Sequence, residues 1–111
     1  MSIQASTHAS DSLGLAPTES LGSLRAAIEL VDDQILAALA RRFALAQAIQ
    51  QEKQRAGQPV LDPAREAALV SRASRRARVL GLPEDEVRAL YWRLLAASRR
   101  VQKDVERDED V

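Results

Sequence analysis

A chain of 111 residues is enough for one small domain. Its 16 basic and 16 acidic residues cancel, so no overall field draws it to nucleic acid or an anionic membrane. It has no cysteine, which excludes disulfides and thiolate metal sites, and its one histidine, His8, lies in a polar N-terminal stretch where it can build neither a metal site nor a catalytic triad.

Residues 1–19 are rich in Ser, Ala and Thr, show no periodicity, and read as a disordered tail. They lack the basic start and apolar core of a signal peptide. No apolar run approaches the ~20 residues that span a bilayer, so the cytoplasm is the expected location.

From Thr18 or Ser20, either of which can cap a helix, one helical pattern runs to about Ala56. Its apolar seam is Leu21, Leu24, Ile28, Val31, Ile35, Ala38, Arg42, Leu45 and Ile49, a strict alternation of three- and four-residue steps along one stripe. Arg42 interrupts that seam, and a guanidinium among apolar side chains needs an anion to face. Arg25 and Lys53 each lie one position beyond the stripe. At ~1.5 Å per residue such a helix is roughly 50 Å long, against ~26 Å for the diameter of a compact 100-residue domain. It must protrude from its own fold, and a second copy of the chain is the economical cover for its stripe.

Gly57, Gln58 and Pro59 end this helix, and Asp62-Pro63 supplies an N-cap followed by proline at the first helical position. A second helix is expected from Pro63 to Val79, closed by Gly81. A third opens at Pro83-Glu84-Asp85-Glu86, with acids in the first turn where the helix dipole favours them. Its apolar face takes in Val87, Leu90, Tyr91, Leu94, Leu95 and Val101, with Ser98 and Gln102 among them, one turn apart. Tyr91, Trp92 and Phe43 read as core. The acidic end, residues 105–111, is expected to fray. The ordered domain is thus 20–104, all-α, with three helices, one of them very long, in an intertwined homodimer.

The candidate site residues have ordinary readings too. Arg42 can lay its stem on apolar surface with its head in solvent, or pair with a glutamate. Arg25, Arg65 and Glu66 can be surface residues, Asp62 a helix cap, and Ser98 and Gln102 a structural polar pair. Geometry limits the functional alternative. Arg42 and Lys53 are ~16 Å apart along one rod and can converge on one ligand, whereas Arg25 is ~26 Å from Arg42 and can join them only from an antiparallel partner subunit.

Taken together these residues resemble the all-helical (AroQ) class of chorismate mutases. The resemblance covers Leu21 to Lys103. It rests on Leu24-Arg25-Ala26-Ala27-Ile28, Val31-Asp32, Ile35-Leu36, Leu39-Ala40-Arg41-Arg42, Leu45-Ala46 and Lys53. Pro59-Val60-Leu61-Asp62-Pro63-Ala64-Arg65-Glu66 is similar to the family's Pro-Val-x-Asp-x-x-Arg-Glu. After Gly81-Leu82, Ser98-Arg99-Arg100-Val101-Gln102 is similar to its closing Ser-x-x-x-Gln. Phe43 and Pro83 depart from the family pattern, away from the implied pocket.

The resemblance implies a single-activity enzyme that rearranges chorismate to prephenate without any cofactor. Arg42 and a partner subunit's Arg25 would clamp the two carboxylates, and Lys53 and Gln102 would donate to the ether oxygen. Glu66 and the backbone near Asp62 would hold the ring hydroxyl, with Arg65 and Ser98 completing the shell. Lys53, Gln102, Arg42 and Glu66 are the expected catalytic groups. Relatives on the same scaffold leave two rival enzymes, a mutase for 4-amino-4-deoxychorismate and an isochorismate-pyruvate lyase. A non-catalytic helical dimerisation module, with Arg42 setting register, is the rival of another kind. A shikimate-pathway synthase is a further partner that small members of the family use.

Overall fold

The computed structural model describes residues 20–109, with side chains as far as Val101. The expected disordered tail, residues 1–19, lies outside the described residues, as do residues 110–111 and the side chain of Gln102. The described chain is three helices: α1 (Leu21–Arg55), α2 (Pro63–Val79) and α3 (Glu84–Glu109). No strand forms among the described residues. The chain divides into two compact units, Met1–Leu39 and Ala40–Val111.

Each helix end is built by local chemistry. Ser20 caps α1, its Oγ accepting from the Ser23 amide at 3.0 Å. At the far end Gln58 N donates to Lys53 O at 2.8 Å and Gly57 N to Gln54 O at 3.2 Å, the paired bonds of a Schellman motif. That motif needs a left-handed residue, and Gly57 supplies it at φ 70°. Gly81, at φ 72°, closes α2 in the same way, with Leu82 N donating to Ala77 O at 2.8 Å.

Asp62 caps α2 through its Oδ1, which accepts from the Arg65 amide at 3.0 Å, and Pro63 takes the first helical position. Glu84, Asp85 and Glu86 fill the first turn of α3, where the free amides favour negative charge. The helical backbone of α3 runs to Glu109, within the stretch 105–111 expected to fray. Residues 104–109 contain neither Gly nor Pro, and Glu106, Arg107 and Glu109 are good helix formers, so nothing in the covalent chain stops the helix earlier.

In the unit Ala40–Val111, α2 packs on α3. Val70, Ala73 and Ala77 of α2 and Leu95 of α3 are the buried apolar side chains. The alanines explain the close approach, since a small side chain lets the facing helix come near. Trp92, expected in the core, is instead 46 % exposed, while Phe43 and Tyr91 are half-buried. Leu95 and Ser98 point into the packed face of α3, and Trp92, three residues before Leu95, falls outside it.

A polar clamp joins the end of α2 to the start of α3. Arg78 Nε donates to Glu84 Oε1 at 2.6 Å, and Ser74 Oγ donates to Glu84 Oε2 at 3.4 Å. Arg88 Nη1 in turn donates to Ser74 Oγ at 2.9 Å and pairs with Asp85 through Nη2.

The seam of α1 looks different. Leu21, Ile28, Val31 and Ile35 are each more than half exposed, and so are Leu45 and Ile49 in the other unit. The apolar stripe exists as the spacing dictates, and these six side chains are more than half exposed among the described residues.

The clamp carries a pH-dependent prediction. The hydrogen bond from Arg78 is the chief cause holding the Glu84 carboxyl below its ordinary value of 4.5, against a smaller opposing effect of desolvation. A carboxyl depressed in the folded state stabilises fully above its unfolded value, and that contribution fades as pH falls through the folded one. Thermal unfolding should therefore show Glu84→Gln melting below the parent at about pH 7 and converging on it as pH falls below the depressed value of the folded carboxyl. A gap that stays constant across that range would mean the ionised carboxylate is not what stabilises the joint.

Candidate functional site

The end of α1 and the loop into α2 bring the first two candidates together. Lys53 sits in the last turn of α1, and the Schellman turn at Gly57 folds the chain back so that Asp62 comes to 4.0 Å from its Nζ. That distance is an ion pair rather than a hydrogen bond. The Lys53 side chain is 23 % exposed and that of Asp62 47 %, so the ammonium is partly desolvated while its partner faces water. An open depression of about 360 Å³ lies here, walled by Lys53, Gln58, Pro59, Leu61, Asp62, Pro63 and Ala64. The depression thus holds one cation and one carboxylate in a wall otherwise of Gln58, Pro, Leu and Ala.

The second group lies where α2 faces α3. Glu66, in the first turn of α2, is half-buried, and Arg99 Nη1 donates to both of its oxygens, at 2.5 and 2.6 Å. Ser98, the neighbour of Arg99 on α3, is buried at 7 % exposure. The conserved geometry of a helix puts Ser98 and Gln102 on one face, but the Gln102 side chain is outside the described residues.

Arg42 is half-buried on α1 and has no ion-pair partner among the described residues. Half-burial is compatible with a stem lying on apolar surface and its head in solvent, and no glutamate pairs with it among the described residues. Arg65 is exposed at the start of α2, where its amide serves the Asp62 cap. Arg25 is exposed and belongs to the unit Met1–Leu39. The structure thus joins Lys53 to Asp62 and Glu66 to Arg99. Arg42, Glu66 and Ser98 do not line the depression at Lys53.

Two polar residues went unassigned in the sequence. Arg99 was visible only as part of a basic run, and its contact with Glu66 depends on the register of α2 against α3 across 33 positions. Gln50 is buried at 8 % exposure on α1, one step from the seam residue Ile49. A glutamine so close to an apolar stripe was the available signal.

The sequence comparison decides the family. The family model described as "Chorismate mutase type II" matches residues 24–103. The chain belongs to the chorismate mutase type II family. Arg25, Arg42, Lys53, Asp62, Arg65, Glu66, Ser98 and Gln102 all fall inside the matched span. A protein named T-protein, from Enterobacter agglomerans, is 32 % identical over 84 residues, which is 76 % of this chain and 22 % of that protein. The chain therefore spans about a fifth of this relative's length. No solved structure matches it. Among the described residues the fold is all-helical, and no helix is long and apolar enough to cross a membrane.

Asp62 has a cap role and an electrostatic one, and substitution separates them. Asp62→Ala should lower stability to urea by about 1 kcal/mol through loss of the cap. Asp62→Asn should keep the cap and the stability while removing the negative charge beside Lys53. If Asp62→Asn unfolds as readily as Asp62→Ala, the charge and not the cap is what the fold uses.

Proposed function

We propose that the chain converts chorismate to prephenate, the [3,3] rearrangement in which one C–O bond breaks as one C–C bond forms within the same molecule. The observation that carries this reading is the family match over residues 24–103, with every candidate pocket residue inside it. The reaction needs neither nucleophile nor proton transfer. It asks the protein to hold a dianion in a compact chair-like conformer, and to meet the negative charge that grows on the ether oxygen as the C–O bond breaks.

The residue types suit those tasks. Arg42, half-buried with no anion of its own, is a planar fork suited to a carboxylate, which it can grip by two parallel hydrogen bonds. Lys53, partly desolvated, supplies a full positive charge for the ether oxygen, with Gln102 as the second donor. Glu66 accepts from the ring hydroxyl, assisted by the backbone near Asp62. Arg65 and Ser98 complete the shell around the carboxylates.

The second carboxylate requires Arg25, and by the helical spacing that residue reaches the site only from a second copy of the chain. The exposed stripe supports the same assembly. Ile28, Val31 and Ile35 are 61 %, 51 % and 51 % exposed, and Leu45 and Ile49 59 % and 57 %. Burying each such side chain contributes about 1.5–3 kcal/mol. A homodimer with shared sites covers the stripe and completes the clamp in one step. The reading assigns the chain to the supply of prephenate for phenylalanine and tyrosine.

The test is loss of chorismate absorbance on adding the protein, with prephenate identified as the product. Salicylate and pyruvate would instead identify a lyase. Lys53→Ala should lower kcat by roughly 10²–10³-fold, the usual cost of one electrostatic donor that strengthens in the transition state. Turnover near the parent rate in that variant would remove Lys53 from the mechanism.

A further inference from the structure

The Glu66–Arg99 pair has a consequence for which substrate the pocket accepts, and it rests on the reading that Glu66 faces the ring substituent of the substrate. A lone carboxylate at that position carries a net negative charge. It would attract an ammonium more strongly than a neutral hydroxyl, and an amine on saturated carbon is protonated near neutral pH, as lysine is. Glu66 is not alone. Arg99 Nη1 lies 2.5 and 2.6 Å from its two oxygens, and the two side chains are 40 % and 22 % exposed, Arg99 first.

The pair is therefore neutral overall, with a cation held against both oxygens of the carboxylate. A carboxylate has about four acceptor positions, so one guanidinium nitrogen leaves room for a hydroxyl to donate. An ammonium arriving at the same place would meet the carboxylate and, held against it, a like charge.

We propose that Arg99 sets the site's preference for a hydroxyl-bearing over an amine-bearing substrate, by neutralising Glu66 while leaving it free to accept. Arg99 touches neither the reacting bonds nor the substrate. It acts through Glu66, by position and charge, and the discrimination is of the kind obtained by building repulsion against the wrong ligand.

The experiment compares kcat/KM for chorismate and for 4-amino-4-deoxychorismate in the parent, Arg99→Gln, Arg99→Met and Arg99→Lys proteins, each checked for native helicity. Arg99→Gln and Arg99→Met remove the cation, and each should shift the ratio toward the amine by roughly tenfold or more. Arg99→Lys keeps the charge and should leave the ratio within about threefold of the parent. A purely structural role would lower both substrates in parallel, and an unchanged ratio in the two neutral variants overturns the proposal. So does a shift toward the hydroxyl. A parent protein inert on both substrates would instead overturn the proposed function, and this inference with it.

Discussion

A helix of 35 residues with an apolar stripe exposed among the described residues is the constraint on which the rest depends. Six aliphatic side chains of the seam, from Leu21 to Ile49, are each more than half exposed. A stripe of that length is more than the scattered exposed hydrophobics that ordinary surfaces carry. The spacing that makes the stripe also sets Arg42 into it. Under the proposed function, cover for the stripe and an anion for the arginine are one problem, which a second copy of the chain binding an anionic substrate would answer.

The short elements serve the long one. The Schellman turn at Gly57 reverses the chain, and Asp62 starts α2 at the point where its carboxylate meets Lys53. One aspartate thereby fixes the beginning of a helix and the electrostatic neighbourhood of a lysine. The joint of Arg78, Ser74, Glu84 and Arg88 holds α3 against α2 from the other end. With that register set, Arg99 falls opposite Glu66.

Everything that depends on neighbours in sequence was legible without coordinates. The cap at Asp62, one of the two offered for α1 (Thr18 or Ser20, of which Ser20 caps), the helix end at Gly57, the left-handed Gly81 and the span of α2 from Pro63 to Val79 all follow from side chains within four residues of the feature. What depends on packing was not. Trp92 looked like core because tryptophan usually is, yet the face of α3 that meets α2 is set by Leu95 and Ser98. The Arg99–Glu66 pair joins positions 33 apart, and no local pattern encodes such a register. The candidate site residues come from the family resemblance, and the structure brings Lys53 to Asp62 and Glu66 to Arg99. The role of Arg25 rests on helical spacing alone.

The central claim is that each site is completed by an arginine from a second copy, and mixing two crippled chains tests it most directly. Arg25→Ala and Lys53→Ala proteins, each nearly inactive alone, would be unfolded together and refolded as a mixture. In a heterodimer with shared sites one site regains both residues and the other loses both. With random pairing of equal amounts the account predicts recovery to about one quarter of parental turnover. Heterodimers demonstrated by mass that remain as inactive as either parent variant would contradict it.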